Sequence, residues 1–492
     1  MAIGKRVIVI GGILAAAIIG TIIAIVFSVK SSPASTRDHD DKAGISGDGM
    51  SSEKHPSEKT TKKHLSTFKT VSDGSGDETT EKIVETDPLQ ETYPVTALAI
   101  GDWGRTIMKE GGSCCQRRKS YNVLDYNAME YTASLLGLAA QEAVPKPSVI
   151  IGHGDNFYWT GLQSATDQAY RFQETFETKY ADASLEGIPW VNVMGNHDYG
   201  GASFLCSSGD VPAKCGSTDE MLFSLRQKFT LQSVYVSPNQ NRWIMPDHFY
   251  VHSIQDPTGN ISVDIFNIDT NDADTHGARQ ICCQCYGYSG GDDSMCEEVV
   301  RGQAYCAGGD TGMYDTCMQQ LKEWGLDSRQ KLVTAVNAST ATWKIVNSHY
   351  SPYNHYAPGH AEAWREALDG LGVNLFIYGH THGTKHDYAS FKTHFIENGA
   401  GGGIQNESPS GIPPYADDYV QKVWAAGGYP YGIFGLKVSW NWMQVRFLTF
   451  DERWVMNKEL SASVVGGIAE KHCWYIPKHG GKGKSCRDAE SA

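Results

Sequence analysis

Carboxylate, amide, imidazole and phenol side chains recur in this chain directly after short apolar runs. They fall in five blocks: Gly101-Asp102-Trp103-Gly104, Gly154-Asp155-Asn156-Phe157-Tyr158, Gly195-Asn196-His197-Asp198, Asn347-Ser348-His349 and Gly379-His380-Thr381-His382. Side chains carried at strand ends can converge on one point although they lie far apart in sequence. A donor set of this mixture suits a hard cation beside a borderline one. Two cations about 3.5–4 Å apart neutralise a phosphoryl group and hold the attacking and leaving oxygens in line. The pattern therefore points to a two-metal hydrolytic site whose ligands lie within these five blocks. Any single block would be an ordinary turn or cap sequence. The five together, in this order and each after an apolar run, carry the reading.

With these motifs in view, the sequence resembles the metallophosphoesterase superfamily and, within it, the purple acid phosphatases. The resemblance runs from Tyr93 to the region of Phe450 and includes Arg171-Phe172-Gln173-Glu174-Thr175-Phe176-Glu177, similar to a stretch of the smaller, animal-type members. Asn398-Gly399-Ala400-Gly401-Gly402 is similar to their glycine turn. Many relatives open with Asp-x-His, but here the first block reads Asp102-Trp103-Gly104, and Tyr158 stands three residues after Asp155. A phenolate replacing an imidazole favours a trivalent hard ion.

The resemblance implies that Asp102, Tyr158 and His382 bind Fe(III), that Asp155 bridges, and that Asn196, His349 and His380 bind a divalent iron, zinc or manganese. It implies substrate contacts by His197 and by a second histidine, with His355 the first candidate and His360 the alternative. The implied activity is that of an acid phosphatase, hydrolysing phosphate monoesters by metal-activated hydroxide with an acidic optimum. A phosphodiesterase or nucleotide hydrolase on the same scaffold is the alternative. A cell-surface binding protein with a vestigial site is disfavoured by the complete ligand set. The implied fold is a four-layer α-β-β-α sandwich with two mixed sheets.

The elements that must position these residues are legible as patterns. Apolar runs predict strands near 94–100, 148–152, 190–194, 262–268, 343–348, 373–378 and 432–450, and helical spacing predicts helices over 124–144 and near 168–180, 315–331 and 360–371. Alternation of the two argues for an α/β class. The catalytic domain is expected over 93–455, followed by a C-terminal extension, 456–492.

The net charge of −14 argues against a nucleic-acid partner. Lys5 and Arg6 precede an uncharged apolar run from Val7 to Phe27, long enough to cross a bilayer as a helix. Its length favours an uncleaved signal anchor with residues 1–6 in the cytosol; cleavage near Ser32-Pro33-Ala34 would give a secreted protein. Residues 28–92 are too polar to form a core and read as a flexible stalk.

All 12 cysteines follow the apolar run, and sequons occur at Asn260, Asn337 and Asn406. Both features favour a lumenal or extracellular catalytic domain carrying N-glycans. Cys206 with Cys215, and Cys473 with Cys486, are plausible local disulfides. Cys282, Cys283, Cys285, Cys296, Cys306 and Cys317 crowd an insertion over 271–317, which is either a stapled lid over the site or a surface excursion. Cys114 and Cys115 are candidates to tie to it.

Overall fold

The computed structural model describes residues 86–105, 123–296, 298–454 and 466–490. The apolar run 7–27, most of the predicted stalk and Cys114 and Cys115 lie outside them. Among the described residues no helix is long and apolar enough to cross a membrane.

Two large sheets face one another. The first has eight strands, with Val95–Ile100 at its centre. That strand pairs in parallel with Val149–Gly152, which pairs in parallel with Trp190–Val191, and on its other side in antiparallel register with Ile433–Val438. The second has seven strands, of which Ser262–Ile268, Trp343–Asn347, Leu375–Tyr378 and His394–Asn398 run parallel. Both sheets are therefore mixed.

The central strands are buried on both faces, and their side chains alternate between two cores. Val95, Ala97 and Ala99 enter the core between the sheets, whereas Leu98 and Ile100 enter the outer one. Across the seam Leu375 and Ile377 face inward, and Phe376 and Tyr378 face outward. Helix Ala128–Glu142 packs on the outer face of the first sheet through Leu135, Leu136 and Ala139. Helices Thr311–Ala338 and Pro358–Leu368 cover the second through Leu332, Val336, Trp364 and Leu368. This is the expected four-layer arrangement.

Four readings need correction. The predicted strand 432–450 is a hairpin of Ile433–Val438 and Trp442–Phe450, because Ser439 Oγ accepts from the Trp442 N–H and turns the chain. The described part of the C-terminal extension is integral: Ile468–Pro477 pairs along Trp442–Phe450 as a strand of the eight-stranded sheet. Residues 86–92, assigned to the stalk, fold onto the domain, where the Trp442 indole donates to the Thr86 carbonyl at 2.8 Å and Asn441 and Ser439 donate to Glu91. Lastly, Asn260 and Asn337 are exposed, but Asn406 is buried with its amide donating to the Pro430 carbonyl, so the folded chain leaves no room for a glycan there.

Disulfides join Cys206 to Cys215 and Cys473 to Cys486, as expected. Within the insertion Cys282 pairs with Cys317, Cys283 with Cys306 and Cys285 with Cys296. The first of these anchors the insertion to helix Thr311–Ala338.

At the seam between the sheets, far along the strands, three buried histidines form a directed chain. A carbonyl only accepts, so His394 Nε2 donates to Gly481 O at 2.9 Å. His394 Nδ1 then accepts from His386 Nε2 at 2.8 Å, and His386 Nδ1 accepts from His472 Nε2 at 2.9 Å. The chain requires His386 and His394 to be neutral, since each accepts through Nδ1. Burial lowers both His394 and His472 from the ordinary 6.5 to about 4. In the unfolded chain they take up protons below about 6.5, so their contribution to stability is complete above that pH and is lost as pH falls toward 4. His472→Gln retains a donor for His386 and removes one titrating group. Its melting temperature should fall less steeply than the parent's between pH 6.5 and 4; equal slopes would contradict this account.

Candidate metal centre

Parallel strands put their C-terminal ends on one side, and in open α/β sheets that edge is where ligands bind. Asp102 follows Val95–Ile100, Asp155 follows Val149–Gly152, and Asn196 lies beyond Trp190–Val191. From the facing sheet, His349 follows Trp343–Asn347, and His380 and His382 follow Leu375–Tyr378. The two edges meet, and the seven predicted ligands come together.

They fall into two overlapping groups. Asp102, Asp155 and His382 bring ligand atoms within 4.8 Å of one another. The Tyr158 hydroxyl joins them, 3.2 Å from Asp102 Oδ1 and 3.5 Å from His382 Nε2. In the second group Asn196 Oδ1 lies 3.1 Å from both His349 Nε2 and His380 Nδ1. His349 Nε2 is in turn 3.6 Å from Asp155 Oδ1, so Asp155 touches both groups.

The loops holding these side chains are strained and cross-braced. Asp102, Asp155 and His380 have φ of 55°, 52° and 68°, a left-handed conformation that costs a non-glycine residue about 1–3 kcal/mol. His380 N–H donates to both Asp102 oxygens at 3.1 and 3.0 Å, which ties one sheet's edge to the other. Asp198 accepts from the backbone N–H groups of Asn156, Phe157 and Gly195 and from the Gln232 amide, clamping the Asp155 and Asn196 loops together.

Two glycines permit these approaches. A Cβ on Gly379 would lie 2.2 Å from Asp102 Oδ2. One on Gly104 would lie 2.0 Å from the Asn156 carbonyl oxygen, so the position where Asp-x-His relatives carry histidine is closed to any side chain.

The electrostatics favour bound cations. Burial, reinforced by the neighbouring Asp155, pushes the Asp102 carboxyl well above the usual carboxylate range. Burial also acts to raise Asp155, but His349 and His197 outweigh it and hold that carboxyl low. Burial and the two carboxylates push the Tyr158 phenol up. Among the described residues Asp155 Oδ2 is buried without a hydrogen-bond partner. An acidic pair at this depth with an unpartnered oxygen fits a cation, since buried charge otherwise carries a large desolvation cost. The histidines fit as well. His349 Nδ1 donates to the His153 carbonyl at 2.7 Å, leaving the Nε2 lone pair facing Asn196 and Asp155 in the ligating tautomer.

Beside the cluster opens a cleft of about 260 Å³, lined among others by His197, His355 and His380. His355 is buried; its Nδ1 accepts from the Ser351 N–H, so the proton sits on Nε2, 3.2 Å from Thr381 Oγ1. His360 lies outside, its side chain 62% exposed on helix Pro358–Leu368 and hydrogen-bonded to Asp274. The Cys-rich insertion reaches the cleft with Thr275, His276 and Gln280, and Gln280 Oε1 faces Asn196 Nδ2 at 3.4 Å. The sequence reading missed these residues. The available signal was position: the insertion starts just after Ser262–Ile268, at the same C-terminal edge as the ligand loops.

Residues 95–384 match the model of the calcineurin-like phosphoesterases. The chain belongs to that family. Among curated phosphoesterases it is 25% identical over 308 residues to tartrate-resistant acid phosphatase type 5 of Homo sapiens, covering 62% of this chain and 72% of that protein. It is 28% identical over 305 residues to purple acid phosphatase 3 of Arabidopsis thaliana, covering 61% and 60%. Among solved structures, purple acid phosphatase PPD1 from yellow lupin seeds aligns over 82% of this chain and 57% of that one, at 12% identity and a TM-score of 0.38.

Asp198 generates a test of how this phosphoesterase builds its site. Replacing it with alanine strands buried N–H donors, each worth about 1–3 kcal/mol. Asp198→Ala should lose at least about 3 kcal/mol of stability by denaturant unfolding and most of its metal by elemental analysis. Unchanged stability and metal content would contradict the clamp.

Proposed function

We propose that the chain is an acid phosphatase hydrolysing phosphate monoesters at a dinuclear centre. Asp102, Tyr158 and His382 would hold Fe(III), Asn196, His349 and His380 would hold a divalent iron, zinc or manganese ion, and Asp155 would bridge. The observation that carries the reading is the phenol: Tyr158 reaches the Asp102 carboxylate and His382 while Gly104 has no room for a side chain. When bound, such a metal pair neutralises the ester's anionic oxygens and lowers the pKa of water, a trivalent member extending this to lower pH.

The chain's own groups then divide the remaining work. His197 Nδ1 donates to the Trp159 carbonyl at 2.7 Å, and its backbone N–H is fixed by Asp155 at 3.0 Å, which orients the ring beside the bridging carboxylate. In acid that ring can supply a proton to the leaving oxygen. His355 has a different task. Burial, then His349, keeps its pKa far below the ordinary value, so it stays neutral and offers the Nε2–H as a donor to a phosphoryl oxygen. Thr275, His276 and Gln280 put the insertion at the rim of the cleft, in keeping with the stapled-lid reading.

The five disulfides among the described residues fit an extracellular or lumenal compartment. Attachment to a membrane through the run 7–27 is part of the proposal, with a secreted form as the alternative.

Turnover of an aryl phosphate should peak below about pH 6.5 and disappear when a chelator strips the metals. His355→Ala should lower kcat by about 10²-fold without changing metal content. A maximum well above neutrality, or activity independent of metal, would overturn the reading.

A further inference from the structure

A second cavity, of about 710 Å³, shares no lining residue with the metal cleft. It is an open cavity lined by the loop Lys478-His479-Gly480-Gly481-Lys482-Gly483-Lys484, by Lys392 and by Trp442, and no aspartate or glutamate lines it. In a chain of net charge −14 this concentration of cations is conspicuous. Among the described residues none of Lys392, Lys478, Lys482 and Lys484 has a carboxylate within ion-pair distance. Lys478 Nζ instead stands 3.6 Å from the centroid of the Trp440 ring, and Lys484 Nζ 5.1 Å from that of Trp442.

The loop is built rather than merely charged. The Cys473–Cys486 disulfide closes its base. Its carbonyls are drawn into the protein: Lys478 O accepts from Asn374 at 3.0 Å, Gly481 O from His394 at 2.9 Å and Lys482 O from the Trp474 indole at 2.7 Å. The backbone N–H groups of His479, Gly481, Lys482 and Gly483 find no acceptor among the described residues. Gly480, at φ 78°, lets Lys392 close on the loop, since a Cβ there would lie 2.6 Å from that side chain. Carbonyls held inward, with amides and ammonium groups left over, make the kind of concavity that binds anions.

We propose that this cavity is a second, non-catalytic site for a compact polyanion, a small polyol bearing several phosphate or sulfate groups. Several ammonium groups around one volume match clustered anionic esters rather than a single one. The donors present, charged and backbone, are those that bind such oxygens most strongly. The site serves to recruit or regulate, because it lies apart from the metal cleft and shares none of its residues.

The test uses the full chain with its metals. Binding of inositol hexasulfate, which is not a phosphate ester, is measured by calorimetry at moderate salt, beside vesicles of phosphatidylcholine with and without a bisphosphorylated inositol lipid. Saturable hexasulfate binding is expected, weakened about tenfold or more in Lys478→Gln/Lys482→Gln/Lys484→Gln, with aryl phosphate turnover unchanged in that variant. Selective vesicle binding lost in the same variant would identify the source as a lipid headgroup, and binding of the soluble probe alone a free ester. No saturable binding of either probe, or binding unaffected by the triple substitution, would overturn the proposal.

Discussion

Asp102 and Asp155 are buried side by side with the Tyr158 phenol where the C-terminal edges of two sheets meet. Two like charges at that depth repel one another strongly, because burial weakens solvent screening. The geometry around them answers this constraint. Backbone N–H groups from the facing sheet and from the Asn196 loop are spent on these carboxylates, Asp198 locks the loops that carry them, and His349 in the ligating tautomer stands opposite. Left-handed backbone at Asp102, Asp155 and His380 is tolerated because the sheet edges over-determine it.

The same constraint orders the periphery. The Cys-rich insertion leaves the second sheet at the edge where the ligand loops emerge, and its disulfides, one of them to Cys317 on the long helix, hold it there. Its Gln280 faces the Asn196 amide nitrogen, which turns the amide oxygen toward His349 and His380. The molecule thus keeps the acids and histidines of its metal cluster at one edge, while the lysine-rich loop collects positive charge around a separate cavity.

The ligand set and the central strands were legible in the sequence for one reason: both are local. Val95–Ile100 and Leu375–Tyr378 are apolar on both faces, and each ends in a turn carrying a ligand. Strands Thr384–Ala389 and His394–Asn398 went unread because Lys385, His386, Asp387, His394 and Glu397 look like surface residues. They are buried, and the fold supplies their partners: Lys385 pairs with Asp387 on its own strand at 2.9 Å, Tyr353 donates to the same carboxylate at 2.6 Å, and the histidines bond one another. Composition could not separate His355 from His360. Helix Pro358–Leu368 does so, carrying His360 outward while His355 stays in the preceding turn. The clamp made by Asp198 was equally invisible, since its residue type fits many roles and only the converging N–H groups reveal this one.

The central claim is that a ferric ion sits against Tyr158, and the visible absorption spectrum of the purified, metal-replete protein beside its Tyr158→Phe variant tests it most directly. The account predicts a broad visible band in the parent that is lost in the variant. A colourless but active parent containing two metals, or a band that survives Tyr158→Phe, would contradict it.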